Sequence, residues 1–323
     1  MLTTFIDPIQ VEIEAFCAQN RETLKQGRFD DLEKAAAELR AGKPLFGDGS
    51  WKIAKFYKSF ECASGDPESV WETRASIHQK WIAAKPKSIA ARVAYGNFLT
   101  KYAWQARGSG FANTITDQGG RLFRERLASA RQVLREARAL REKDPFWWSV
   151  ALNVALGQGW PKPAVDSLLT EAHGFEPKFW AYDAARAYSL LPRWYGKPGD
   201  WEAFAAEAAT RPDGVGTEVY ARIVIQFRGF YGSVLRETKA SWETTRKGLE
   251  LMRERYPNSL EIVGFTAALA TEAEDHRLAK EMYDRLGDTY LPTVWASQQG
   301  FLRNRAWADK SAQTFGPMHQ AAR

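Results

Sequence analysis

The chain has 323 residues, 45% hydrophobic and 26% charged, with a formal net charge of +6. This excludes a disordered chain and a minimal single core, and no apolar run approaches the roughly 20 residues that a membrane helix needs. Two cysteines, Cys17 and Cys62, exclude a disulfide framework, and the acidic Asp7, Glu12 and Glu14 break any secretory signal, so a cytoplasmic, bacterial-type protein without membrane contact is expected.

Strand signals are scarce along the whole chain. A first helix is expected from about Pro8 to Gln26, where Gly27 breaks it. A second runs from Arg28 to Arg40, with Phe29, Leu32, Ala35, Ala36 and Leu39 on one apolar stripe. After a Gly- and Pro-containing loop, Ala41 to Gly49, helices follow from Ser50 to Glu61 and from Pro67 to Ala84, the latter capped by Asp66. Together these make an N-terminal helical subdomain over residues 1–85.

A repeat region over 86–310 starts with a helix from Ser88 to Gln105. A Gly- and Thr-rich insertion, 108–120, precedes a basic helix from Arg121 to Lys143. Helix pairs are expected next: Phe146–Leu156 with Pro163–Ala172, and Lys178–Leu191 with Asp200–Ala209. Thr217–Phe227 with Lys239–Arg255 and Ser259–Thr271 with Asp275–Leu286 complete them. Val219 to Phe227 alternates like a strand but is read as helix, because an isolated strand would have no partner. Ala279 and Tyr283 let the last pair approach closely. A final helix, Thr293 to Ala308, would cap the array, and 311–323 reads as a C-terminal tail.

Pro145, Pro177, Pro212, Pro257 and Pro292 punctuate this region at spacings of 32, 35, 45 and 35 residues. A period near 34 is that of a tetratricopeptide-type helical hairpin, although the full Trp-Leu-Gly-Tyr signature is missing. The fold class is therefore all-α: a tetratricopeptide-like helical-hairpin array, an α-α superhelix, with an N-terminal helical subdomain.

Tyr95, Phe98, Tyr102, Ala103, Trp104, Ala106, Arg107, Gly108 and Gly110, with Leu191-Pro192-Arg193-Trp194 and Asp200 to Phe204, carry a resemblance. The chain resembles an uncharacterised bacterial family of tetratricopeptide-like proteins, a domain of unknown function with a Leu-Pro-Arg-Trp loop. The likeness covers most of the chain after about Pro86 and extends to the N-terminal helices. It departs where Tyr195-Gly196-Lys197-Pro198-Gly199 replaces a short Gly-Gly-Ser-like turn. The resemblance implies the fold and carries no established activity.

Pro192 ends a helix and presents Arg193, Trp194, Tyr195 and Lys197 on a turn, which is the chemistry of an anchor for a partner. The other reading has Trp194 filling a gap between helix pairs and Arg193 capping a helix. Tyr95, Tyr102, Trp104 and Arg107 form a second candidate set; Arg107-Gly108-Ser109-Gly110 could wrap an anion, or serve only as a connection. Trp147 and Trp148 project about 100° apart, so one ring, Trp148, could reach a groove while the other is core. Asp183 and Arg186 can pair on one helix face, either lining a concave surface or as an ordinary surface pair. Arg121, Arg124, Arg131, Arg135 and Arg138 share a basic face, either solvated or a dock for an acidic partner. No aromatics are interleaved there, so nucleic acid has little support.

The sequence holds no metal-ligand cluster, phosphate loop, nucleophile elbow or dinucleotide fingerprint, so neither a metal nor a cofactor is expected. The expected function is a protein- or peptide-binding scaffold or regulator, including an immunity- or antitoxin-like protein. The alternative is an enzyme or small-molecule binder for a sugar or anionic metabolite. Composition and pattern do not specify the oligomeric state.

Overall fold

The computed structural model describes residues 3–108, 110 and 115–314. Ser109 and residues 111–114 of the predicted insertion, His319 and the tail beyond Thr314 lie outside the described residues. The chain is an all-α helical-repeat protein, with one two-residue strand pair among the described residues: β1 (Thr3–Thr4) runs parallel to β2 (Thr289–Tyr290).

The helices in order are α1 (Pro8–Lys25), α2 (Phe29–Gly42), α3 (Lys52–Lys58), α4 (Glu68–Ala84), α5 (Ile89–Arg107), α6 (Asp117–Arg138), α7 (Pro145–Gln158) and α8 (Lys162–Phe175). Then come α9 (Ala181–Ser189), α10 (Asp200–Ala209), α11 (Thr217–Phe227), α12 (Val234–Glu237), α13 (Trp242–Arg255), α14 (Leu260–Glu272), α15 (His276–Leu286) and α16 (Gln298–Thr314). Local chemistry sets many of their ends. Ser88, Thr116, Asp144, Ser241, Ser259 and Asp275 each accept a backbone N–H at a helix start.

Several boundaries differ from the sequence expectation. Asp66 does not cap α4: its carboxylate accepts the Ala63 N–H, and Pro67 occupies the cap position. The basic helix α6 stops at Arg138, where Lys143 folds back and donates to the Arg138 and Leu140 carbonyls at 2.6 and 2.8 Å. The expected helix from Lys239 starts instead at the Ser241 cap, after a 3₁₀ turn, Arg228–Phe230, and the short α12. The last helix begins at Gln298, because Val294 and Trp295 are buried in the preceding turn.

The chain groups into two compact units. One comprises Ile13–Phe46 and Ser50–Arg186; the other comprises Met1–Glu12, Gly47–Gly49 and Ala187–Arg323. The sequence-based boundary at residue 85/86 falls within the first of these, where α4 packs on α5 and α3 packs on α5 and α7. In that unit, Trp81 is wholly buried, stacked on Phe29, and its indole N–H donates to Glu33 Oε1 at 2.7 Å. Trp147 is also buried, with its N–H on the Leu134 carbonyl. Trp148 is buried beside it and stacks on Phe175, so both rings of the pair are core rather than one facing a groove. Of the chain's 13 tryptophans, seven are buried, so this residue serves mainly the interior.

In the second unit, Asp7 links the N-terminus to α14: its carboxylate accepts the backbone N–H groups of Ile9 and Glu261. Glu218 is wholly buried between Arg222 and Arg255, at 2.7 and 2.6 Å. α11 and α13 cross at Gly248, where a Cβ would stand 2.2 Å from the Thr217 carbonyl oxygen and 2.7 Å from Ala221 Cβ. As expected from sequence, Ala279 and Tyr283 are wholly buried in the α14–α15 pair.

Two outcomes are expected. Gly248→Ala should destabilise the protein by about 1–3 kcal/mol through overpacking. Gly174→Ala, in α8 with nothing near its Cβ position, should stabilise it by up to about 1 kcal/mol; urea unfolding midpoints decide both. His78, wholly buried against Phe98, has its pKa lowered from 6.5 to about 3, first by burial and then by Arg74. Its folded value lies below its unfolded one, so the stability it contributes is whole above pH 6.5 and is lost as pH falls toward 3. Unfolding midpoints measured from pH 7 to pH 4 should fall less steeply in His78→Phe than in wild type, the full span being about 3–5 kcal/mol.

Candidate functional site

The Leu-Pro-Arg-Trp turn begins where α9 ends at Ser189. Leu191 is buried and anchors it, and the Trp194 N–H closes onto the Leu191 carbonyl at 2.8 Å. The Tyr195 N–H reaches back to the Ser189 carbonyl at 3.2 Å. Gly196 is required here, since a Cβ would stand 1.7 Å from the Leu190 carbonyl oxygen. The Lys197 N–H donates to the Asp200 carboxylate, which joins the turn to the start of α10.

From this turn a ladder of rings leads outward from the core of the second unit. Buried Trp201 packs edge-on against Phe227, which contacts Phe230. Phe230 meets Tyr188, and Tyr188 meets Trp194 at 5.9 Å. The Arg193 guanidinium lies 5.4 Å from the Trp194 ring and 5.8 Å from Phe230. Trp194 and Tyr188 are half-buried, whereas Phe230 and Tyr195 are 42% and 60% exposed and Arg193 and Lys197 are exposed. Trp194 thus packs against Tyr188, while Arg193 and Tyr195 face solvent. Guanidinium and rings together suit a carboxylate-bearing, apolar segment.

The remaining candidates belong to the first unit. Tyr102 is buried, with its hydroxyl on Glu68 and the Arg126 guanidinium 3.3 Å from its ring centre; burial, then Glu68, holds its pKa well above the ordinary value. Tyr95 is half-buried against His78 and accepts from Gln79. Trp104 packs edge-on against Phe123, and Arg107 lies near its ring. The Arg107 guanidinium donates to the Gly108 and Gly110 carbonyls, which ties it to its own loop. Asp183 and Arg186 are both buried: His173 contacts Asp183 at 3.1 Å and Arg186 donates to Asp166 at 2.9 Å. Trp148, Tyr102, Asp183 and Arg186 are thus engaged in internal contacts.

The α6 face keeps its expected form. Arg121, Arg124, Arg131, Arg135 and Arg138 are exposed, while Leu127, Ala130, Leu134 and Ala137 are buried. Arg131 and Arg138 lie over Trp160 and Trp147, and Arg138 also pairs with Glu171. Trp160 and Phe230 were missed at the sequence level, because each acquires its role from a cation or ring distant in the chain.

Trp194→Ala should cost about 1–2 kcal/mol, since it empties contact with Tyr188. Tyr195→Ala should stay within about 0.5 kcal/mol of wild type. Equal losses in chemical denaturation would place Tyr195 in the core.

Residues 17–164 match a family model described as Domain of unknown function (DUF4034). The match takes in α2 to α7 and stops before Leu191–Trp194. No curated protein matches the chain. Over residues 17–164 the chain is therefore similar to an uncharacterised family.

Proposed function

We propose that this chain is a protein- or peptide-binding scaffold or regulator built from tetratricopeptide-like hairpins and working in the bacterial cytoplasm. The observation that best supports this reading is the ring ladder that reaches exposed Phe230 with the Arg193 guanidinium beside it, on a turn that also exposes Tyr195. Aromatic rings contribute contact area at small entropic cost, and an arginine among them adds directional donors. Exposed rings grouped with a guanidinium are a common mark of a contact surface.

The partner is acidic. Arg193 and Lys197 are exposed beside the rings, and the α6 face presents five further arginines on its own unit. Complementary charge would accelerate encounter and the rings would hold the complex. An immunity- or antitoxin-like protein that masks a toxic partner is one form of this function. No helix among the described residues is long and apolar enough to cross a membrane.

The test is affinity capture from native lysate with wild type and with Arg193→Ala/Tyr195→Ala, read by mass spectrometry. That pair spares the half-buried Trp194. One stoichiometric protein should be captured by wild type, and its affinity, remeasured with purified components, should fall at least about tenfold in the variant. Capture unchanged by the variant would refute the patch as the binding surface.

A further inference from the structure

α4 carries a polar strip on its buried face. Trp71, Arg74 and His78 occupy positions i, i+3 and i+7, and they are 2%, 8% and 0% exposed. Trp71 stacks on Tyr102 at 5.0 Å; His78 lies against Phe98 at 5.0 Å and Tyr95 at 5.6 Å. Phe60 meets the His78 ring edge-on. The strip's polar atoms are thus surrounded by aromatic rings.

These polar atoms are not used within the described protein. Trp71 Nε1, Arg74 Nη1 and both His78 ring nitrogens are buried without a hydrogen-bond partner among the described residues. The Phe60 backbone lies close enough to favour protonated His78 slightly, yet neither nitrogen reaches hydrogen-bond geometry. No other helix among the described residues gathers as many such atoms. Buried polar atoms are normally paired, and one on a charged group, such as Arg74 Nη1, is the costliest to leave unpaired.

Arg74 sets the chemistry. The groups that act on it are Cys62, Arg21 and Asp66, and burial outweighs them, lowering its pKa. Asp66 is bonded to its own turn, and Arg21 donates through Nε to the Ser59 carbonyl. Neither Arg21 nor Arg74 has a carboxylate within ion-pair distance among the described residues. Two guanidiniums therefore lie near one segment, Arg74 mostly buried and Arg21 exposed.

We propose that the α4 strip is a binding site for a small carboxylate with an apolar body. Arg74 grips the two carboxylate oxygens with its planar fork, and Arg21 draws the anion in. The Trp71 and His78 N–H groups, one turn to either side, supply further donors, and Phe98 and Phe60 flank the apolar part. His78 stays neutral in its aromatic surroundings and adds a donor but no charge. A single deep cation matches a monoanion better than a phosphate dianion. All these residues lie within 17–164, the stretch that matches the uncharacterised family.

The test is thermal unfolding of the full chain with benzoate, acetate or phosphate at matched ionic strength. Benzoate should raise the wild-type Tm saturably by a few degrees at up to about 10 mM. Arg74→Met should abolish that shift and melt no lower than wild type without ligand, because it removes a largely buried charge that has no carboxylate partner among the described residues. Trp71→Phe keeps the ring and loses one donor, so benzoate affinity should fall about tenfold even if the methionine variant fails to fold. No shift with either carboxylate, an equal shift in Arg74→Met, or unchanged affinity in Trp71→Phe would overturn the site. A shift with phosphate alone would overturn the carboxylate assignment.

Discussion

A wholly buried carboxylate, Asp144, holds the first unit together. It caps α7 by accepting the Phe146 N–H at 2.9 Å, and it takes the Tyr57 hydroxyl at 2.5 Å and the Arg40 guanidinium at 3.5 Å. Burial pushes its pKa up, while those three partners pull the other way. Tyr57 comes from α3 and Arg40 from α2, so one side chain joins the N-terminal helices to the start of a helix pair. Such a group is tolerable only when all its partners are present at once. The N-terminal helices are for this reason part of the same packed body as α5 and α7.

The same logic distinguishes the two places that invite a ligand. Elsewhere in the first unit several polar tips are satisfied internally, Trp81 on Glu33, Trp147 on Leu134 and Tyr182 on the Pro145 carbonyl, while Arg92 Nε, Trp148 Nε1 and Ser149 Oγ are single buried atoms without a hydrogen-bond partner among the described residues. The α4 strip departs from this economy, with donors enclosed among rings. The Arg193–Phe230 patch departs from it in the opposite sense, with rings carried out to solvent. One arrangement suits a small anion and the other a polypeptide, so the two can coexist in one protein.

Helix positions were legible because their signals are local. The 3.6-residue stripes, the Ser and Asp caps and the near-34-residue proline spacing placed α1, α2, α5, α8, α10 and α11 within a few residues. Errors arose where a distant residue decided the end. Lys143 closes α6 early, and the burial of Val294 and Trp295 delays α16. Exposed arginines on α6 were legible for the same reason, since a helical wheel needs only one helix.

What the sequence by itself determined was periodicity: an all-α chain of paired helices, with a basic face on α6 and a turn bearing Arg193 to Lys197. Tertiary structure alone decided which rings are core and which face solvent, and which charges have partners. Asp183 is met by His173 and Arg186 by Asp166, across gaps that no motif encodes. Trp71, Arg74 and His78 belong to no motif that the sequence displays. Their enclosure depends on α5 and on Phe60, because burial belongs to the packing of several segments and not to one of them.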